Sequence, residues 1–173
     1  MSEHLKIINE LLEEKEYLNI LDLGSGKTSL GILLNRFPNS NIDGICYPGD
    51  NRKLDSIKAN CKGSYNLIEM DICKEQPKKE YDMVLCHLLL GEALKFGNNI
   101  EDMLNGIFKI NTKEIYIIDY LEDVDIDFNL VKNIAEKNNF KIEKEIIVEK
   151  ENEEIYTKFV GRNYIGLLLR KHL

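Results

Sequence analysis

The sequence predicts a three-layer α/β domain in which helices cover both faces of a mainly parallel, seven-stranded sheet. Short apolar runs, typical of buried strands, alternate with amphipathic helical segments along most of the 173 residues. This alternation is the pattern of βαβ units, whose crossovers are right-handed. The last two strand segments have no strong helix between them, so we expect them to form an antiparallel hairpin at one edge of the sheet.

Apolar runs and β-rich segments supply the predicted strands, and a turn or polar residue follows several of them. The first run stops at a glycine turn, the second at Pro48 and the third at Asp71. The predicted strands are residues 18–23, 42–47, 65–70, 81–87, 114–120, 141–149 and 164–171.

Helices are predicted where apolar residues recur every three or four positions. In the first helix, Leu5, Ile8 and Leu12 share one face and carboxylates occupy the other. The predicted helices are residues 3–16, 29–37, 51–60, 100–109 and 127–138. One domain therefore accounts for the chain, with residues 1–17 as an N-terminal helix and residues 18–173 as the α/β core.

The composition is that of a chain able to bury a core without disulfides or metal ions. Apolar residues make up 43 % and the formal net charge is −7. This net charge argues against tight nucleic-acid binding, which needs several cations that neutralise phosphates. The four basic residues within 52–62 form either a local basic face or, more simply, a solvated helix face. No apolar run reaches the ~20 residues of a membrane span, and the polar N-terminus lacks a signal-peptide pattern. We therefore expect a cytoplasmic protein.

The four cysteines do not form a metal-binding pattern. They lie 12 to 15 residues apart, none belongs to a C-x-x-C pair, and the chain has only three histidines. A structural zinc site needs closely spaced ligands, so we expect no metal. Reduced, buried or half-buried thiols are the simpler interpretation of Cys46, Cys61, Cys73 and Cys86.

The most informative segment is a glycine turn that follows the first strand. Asp22 stands at the end of that strand, and Gly24 and Gly26 follow it. Glycines allow a ligand to approach the backbone closely and adopt φ values that other residues avoid. The turn lies at the carboxyl end of a strand, where open α/β sheets bind ligands.

Three ligand-binding motifs compete for this turn. Gly26, Lys27 and Thr28 look like the end of a nucleotide P-loop, but Leu21 stands where that motif requires its first glycine. The dinucleotide pattern G-x-G-x-x-G fails at its third position, which is Ser29. The pattern Asp-x-Gly-x-Gly fits better, since it resembles motif I of class I S-adenosylmethionine-dependent methyltransferases.

The resemblance to this Rossmann-like family extends over residues 18–171. Residues 41–46 match its second strand, residues 66–72 its third strand with the acidic residue that follows, and residues 81–86 its "F-D-x-V" fourth strand. Residues 115–120 match the fifth strand, and the terminal hairpin fits as well. Each motif is loose, but five in the right order are specific. The resemblance implies a methyltransferase that uses S-adenosylmethionine.

The resemblance also implies roles for residues at the carboxyl ends of the strands. The backbone of Gly24, Ser25 and Gly26 would approach the methionine part of the cofactor. Asp22 would orient this turn or meet the cofactor's amino group through a charge-assisted hydrogen bond. Two residues after the third strand would contact the adenine: Asp71 would accept its amino hydrogen, and the Ile72 amide would face a ring nitrogen.

One position departs from the family pattern. An acidic residue that binds the ribose hydroxyls usually ends the second strand, and that position is Cys46. A thiol is a weak acceptor. Asp50 would have to reach back to replace the acid, because Asp43 lies earlier on the strand and faces away. Tyr47 is placed to stack on the adenine.

Residues after the fourth and fifth strands would form the methyl-transfer site. The resemblance places Cys86 and His87 there, and His87 is the candidate general base because its ordinary pKa is near neutral. Glu92, Lys95 and Tyr120 would form the substrate rim. The acidic segment 120–127 fits either a cationic acceptor, such as an amine, or a solvated loop.

The sequence does not name the methyl acceptor. Few residues precede the first strand, and no inserted domain is visible, so the site is open to a macromolecule or covered by a second subunit in a homodimer. The acidic charge and the absence of an N-P-P-Y-like motif favour a small molecule or a protein over nucleic acid. Two rivals remain: a non-catalytic module of the same fold, favoured by Cys46, and a nucleotide-binding domain using Lys27 and Thr28.

Overall fold

A computed structural model describes residues 3–121, 126–148 and 163–172. The strands are β1 (Asn19–Leu23), β2 (Asn41–Cys46), β3 (Asn66–Glu69), β4 (Met83–His87), β5 (Glu114–Tyr120), β6 (Phe140–Val148) and β7 (Tyr164–Lys171). The helices are α1 (Glu3–Leu11), α2 (Lys27–Arg36), α3 (Asn51–Asn60), α4 (Leu89–Lys95), α5 (Ile100–Phe108) and α6 (Phe128–Lys137).

The seven strands form one sheet in the order β3-β2-β1-β4-β5-β7-β6. The first five strands pair in parallel, and β7 lies antiparallel between β5 and β6. The predicted fold class is therefore confirmed, including the antiparallel hairpin at the edge. The strand order reverses between β1 and β4, and this switch point leaves a crevice at the carboxyl ends of the strands.

Alternate side chains of each strand enter two apolar clusters, one on each face of the sheet. In β1, Ile20 packs with residues of α1, α2 and α3, whereas Leu21 and Leu23 pack with residues of α4, α5 and α6. Burial of one such side chain contributes roughly 1.5–3 kcal/mol. The two clusters hold the carboxyl ends of β1, β2, β4 and β5 side by side.

Two helices differ from the sequence-based prediction. The first helix ends at Leu11 rather than near residue 16. Helix α4 was not predicted, because residues 91–99 look like a polar loop and Gly91 disfavours a helix by about 1 kcal/mol. A contact with a distant strand stabilises the start of this helix, because the buried Asp119 carboxylate of β5 accepts hydrogen bonds from the Leu90 and Gly91 amides.

No helix in the described ranges combines the length and apolar character of a membrane span. No group of three or more His, Cys, Asp and Glu side chains in those ranges is arranged to hold a metal ion. All four cysteines are free. The acidic residues 122–125, which we expected near the substrate rim, lie outside the described residues.

Candidate cofactor site and acceptor side

The glycine turn joins β1 to α2 and has a backbone that only glycine fits. Gly24 has φ +72°, and a Cβ atom there would lie 2.6 Å from Leu89 Cδ1. The next amide, of Ser25, donates to the Ile45 carbonyl of β2 at 2.8 Å. The turn is therefore fixed against both β2 and α4, and it lies beside the switch point of the sheet.

The Asp22 carboxylate lies fully buried beneath this turn. Its Oδ2 accepts hydrogen bonds from Ser25 Oγ at 2.6 Å and from Ser29 Oγ at 2.8 Å. Its Oδ1 is the one buried side-chain polar atom without a hydrogen-bond partner within the described residues. Buried acceptors are nearly always satisfied, so this oxygen indicates a place for a ligand donor.

Burial raises the pKa of Asp22 to about 6. The Ser25 and Ser29 hydroxyls and the positive charge of Lys53 act in the opposite direction. A cationic donor at Oδ1 would favour the ionised carboxylate further. The site is therefore prepared for a positively charged ligand group.

The end of β2 places Cys46 inside the protein. Its thiol is buried and donates to the Ser25 carbonyl at 3.8 Å, and burial raises its pKa. It therefore supports the glycine turn rather than facing an open pocket. Beyond it, Tyr47 is 56 % exposed. Asp50 is also exposed, and its Oδ1 caps α3 by accepting from the Lys53 amide at 3.2 Å.

A lysine to which the sequence-based interpretation assigned no role lies at the glycine turn. Lys53 lies in the first turn of α3, and its Nζ donates to the Gly24 carbonyl at 3.4 Å. Its Cε would lie 3.7 Å from a Cβ atom placed on Gly26. The available signal in the sequence was a lysine three residues after the helix-capping Asp50, since α3 starts at the same edge as the glycine turn.

The segment after β3 forms a tight, partly buried turn. Asp71 Oδ1 accepts from the Cys73 amide at 3.1 Å, and its Oδ2 lies 3.7 Å from Lys74 Nζ. The Ile72 side chain is buried. Its carbonyl packs on α5, because a Cβ atom on Gly106 would lie only 2.2 Å from that oxygen. Asp71 therefore has a structural use as a turn carboxylate, whatever it binds.

The two residues at the end of β4 have different surroundings. Cys86 is fully buried in the cluster with α4, α5 and α6, and burial raises its pKa strongly. Its side chain therefore belongs to the core, and its expected place in the methyl-transfer lining stays a prediction. His87 points to the opposite face, and its Nε2 lies 2.9 Å from Nδ1 of His4 in α1.

Burial lowers the pKa of His87 to about 3, and the neighbouring His4 acts in the same direction. His87 is therefore neutral at neutral pH. The His4 ring also lies 5.4 Å from the Tyr164 ring, which in turn lies 5.4 Å from that of Tyr120. These four rings form an aromatic cluster where α1 meets the ends of β4 and β5 and the start of β7.

The predicted substrate rim is brought together beside this cluster. Lys95 Nζ lies 5.1 Å from the centre of the Tyr120 ring and 3.9 Å from Glu92 Oε1. Tyr120 itself is buried. Glu92 and Lys95 lie on α4, whose position depends on Asp119.

An open cleft of about 1120 Å³ lies elsewhere. Its lining includes Tyr17, Pro38, Asp82 and Glu114, which lie at the amino ends of the strands or in the turns before them. It is on the opposite edge from the glycine turn. Open α/β sheets bind ligands at the carboxyl edge, and the unpartnered Asp22 oxygen is there, so we assign the candidate site to that edge.

Two curated proteins are similar to this chain, although no protein-family model matches it. Malonyl-acyl-carrier-protein O-methyltransferase 2 of Ilyobacter polytropus is 39 % identical over 85 residues, which are 49 % of this chain and 32 % of that protein. Ribosomal protein L11 methyltransferase of Dictyoglomus turgidum is 25 % identical over 154 residues, 86 % of this chain and 46 % of that protein. The chain thus spans less than half the length of either relative.

A solved structure extends the likeness to nearly the whole chain. The magnesium protoporphyrin IX methyltransferase of Synechocystis PCC 6803, solved with bound S-adenosylmethionine, superposes with a TM-score of 0.68 at 14 % identity. The match covers 98 % of this chain and 76 % of that one. The chain has the class I methyltransferase fold. The resemblance inferred from the glycine turn and the order of the strand motifs is confirmed at the level of the fold.

Within the methyltransferase fold, two polar residues near the site were missed by sequence reasoning. One is Lys53, described above. The other is Asp119, whose buried carboxylate fixes the start of α4 and so the left-handed turn at Leu88, where φ is 57°. Burial raises the pKa of Asp119 to about 6, although three hydrogen bonds from backbone amides act to lower that pKa. The available signal in the sequence was an aspartate within the apolar run of the predicted strand 114–120.

Proposed function

We propose that the chain is an S-adenosylmethionine-dependent methyltransferase that binds this cofactor at the carboxyl edge of β1, β2 and β4. The observation that carries the proposal is the buried Asp22 carboxylate, whose Oδ1 has no partner within the described residues. The methionine part of the cofactor carries an ammonium group that would satisfy this oxygen. The methyltransferase relatives and the fold support the same conclusion.

The protein's task in this reaction is alignment. The cofactor would supply a methyl group on a sulfonium: an acceptor would attack the methyl carbon in line, the carbon–sulfur bond would break, and S-adenosylhomocysteine would leave. The rigid turn at Gly24 would hold the methionine part, and Ser25 and Ser29 keep the Asp22 carboxylate in place. Methyl transfer therefore depends on how firmly these residues fix the cofactor relative to the end of β4.

The adenosine part would lie across the ends of β2 and β3. Asp71 and the Ile72 amide are the proposed adenine contacts, and the exposed Tyr47 ring is placed to stack there. The Cys46 thiol is buried against the glycine turn, so ribose recognition falls to Asp50. Asp50 is exposed and uses Oδ1 to cap α3.

The acceptor would enter on the side of His87 and the rim residues Glu92, Lys95 and Tyr120. We assign His87 as the group that receives a proton when the acceptor must lose one. Burial lowers its pKa to about 3, and its Nε2 lies 2.9 Å from His4 Nδ1, so this role requires the ring to become exposed as well as the contact with His4 to open. An acceptor that needs no deprotonation would make His87 a positioning residue.

A small molecule or a protein is the proposed class of acceptor. The net charge of −7 disfavours nucleic acid. The two curated relatives are named for malonyl-acyl-carrier protein and for ribosomal protein L11, and the solved structure is that of a magnesium protoporphyrin IX methyltransferase. The homodimer that an open acceptor side suggested stays a prediction.

The test is calorimetric titration of the protein with S-adenosylmethionine, S-adenosylhomocysteine and ATP. We expect binding of the first two and none of ATP. Asp22→Asn should abolish the cofactor binding, whereas Asp55→Asn, which changes an exposed carboxylate on α3, should not. Binding of ATP that is lost in Lys27→Ala would replace this proposal by the nucleotide-binding one.

The non-catalytic alternative is separated by a second measurement. A chain that binds the cofactor should transfer radiolabelled methyl groups to a component of a fractionated extract, and heat-treated protein serves as the control. Binding without any transfer across protein and small-molecule fractions would favour a sensor or partner module. The buried Cys46 is the feature that supports this alternative.

A further inference from the structure

The charges around the glycine turn form a pair of opposite sign. The Asp22 carboxylate lies beneath the turn with Oδ1 unpartnered in the described part of the chain. The Lys53 ammonium lies at the turn, with Nζ 3.4 Å from the Gly24 carbonyl. A ligand group that carries both a cation and an anion would complement the two.

Within the described ranges, Lys53 is held in place by its helix and by no ion pair. Its amide donates to Asp50 Oδ1, which fixes the first turn of α3. Among the described residues its Nζ forms no ion pair and donates only to Gly24. A lysine ammonium has three donor positions, so a ligand can bind this cation without breaking any carboxylate contact.

We infer that Lys53 is a specificity-determining residue that binds the carboxylate of the cofactor's amino-acid end, while Asp22 binds the ammonium of the same end. The inference rests on the proposed function. It follows from the charge pair, because an α-amino acid carries its ammonium and its carboxylate on one carbon atom. A neutral ribose would gain less from a compact cation than a carboxylate does.

The test compares S-adenosylhomocysteine with its decarboxylated analogue, which keeps the ammonium and lacks the carboxylate. Calorimetric affinities are measured for the unaltered chain, Lys53→Met, Lys53→Arg and the control Lys58→Met. Lys58 lies on the same helix with an exposed side chain, so the control removes an equal charge. Lys53 is half-exposed, and partly exposed ion pairs contribute up to about 1 kcal/mol, which corresponds to roughly fivefold in affinity.

We expect Lys53→Met to weaken S-adenosylhomocysteine about fivefold and to leave the decarboxylated analogue unchanged. Lys53→Arg should retain most of the affinity, and Lys58→Met should change neither ligand. Equal weakening of both ligands by Lys53→Met, or no weakening of either, would overturn the inference. If the unaltered chain binds neither ligand, the proposed cofactor is wrong and the inference falls with it. Thermal melting of each variant verifies that it is folded.

Discussion

Asp22→Asn should stabilise the unliganded protein at alkaline pH. The pKa of Asp22 rises from its usual 3.8 to about 6 because the carboxyl is fully buried. The folded chain therefore keeps this proton to a higher pH than the unfolded chain does. Stability with respect to this group is highest below about pH 4, falls as the pH rises to about 6, and stays low above it.

The magnitude follows from the two pKa values. At about 1.4 kcal/mol per pKa unit, ionised Asp22 lowers the free energy of unfolding by roughly 3 kcal/mol above pH 7. Asparagine removes this penalty but places an amide nitrogen at the unpartnered position, which costs about 1–2 kcal/mol. We therefore expect Asp22→Asn to be about 1 kcal/mol more stable than the unaltered chain at pH 8 and about 1 kcal/mol less stable at pH 4.

Urea unfolding at pH 4, 6 and 8 measures this difference. Asp55→Asn is the control, since its carboxylate is exposed on α3 and its effect should change little between pH 4 and pH 8. The reasoning is refuted if the stability difference between Asp22→Asn and the unaltered chain is the same at all three pH values. A gain in stability together with lost cofactor binding would show that this carboxylate is kept for binding.

Three further predictions concern the supports of the site. Gly24→Ala should lower the free energy of unfolding by about 1–2 kcal/mol, chiefly because alanine is strained at φ +72°, since the end of the Leu89 side chain can shift away from the new methyl group; urea melts measure it, and a loss below 0.5 kcal/mol would contradict the geometry. Asp119→Leu should cost about 3 kcal/mol in the same assay by removing the acceptor of three buried amides, and Asp119→Asn should cost less because it keeps an acceptor. His4→Ala should raise the pKa of His87 from about 3 towards its ordinary 6.5, which NMR titration of the ring protons would detect; an unchanged pKa would show that α1 does not cause the shift.

Local sequence patterns predicted the sheet well because strand signals are short-range. The apolar run before Gly24 and the "F-D-x-V"-like run of β4 each carry their own evidence of burial, and both lie where we expected them. Helix α4 was missed because its stabilising partner, Asp119, is 29 residues from Leu90. No window of residues 89–95 contains that information.

The same limitation applies to the candidate site. Asp22 was identified from its position before the glycines, but its unpartnered oxygen follows from the placement of Ser25 and Ser29 in three dimensions. The contact between His4 and His87 joins residues 83 positions apart. Such contacts depend on which face of the sheet α1 covers, and amphipathic periodicity does not specify that face.

The position of β7 between β5 and β6 affects the order in which the protein can assemble. Until residues 164–171 are synthesised, one edge of the fully buried strand β5 has no partner, and open apolar edges invite pairing with other chains. Helix α1 also lacks a packing partner until then, because Ile7 packs closely against Gly166. A Cβ atom placed on Gly166 would lie only 2.3 Å from Ile7 Cγ2. Segments near residues 7 and 114–120 therefore reach their final packing only after residues 164–171 have been made, and contacts over such long sequence separations slow folding.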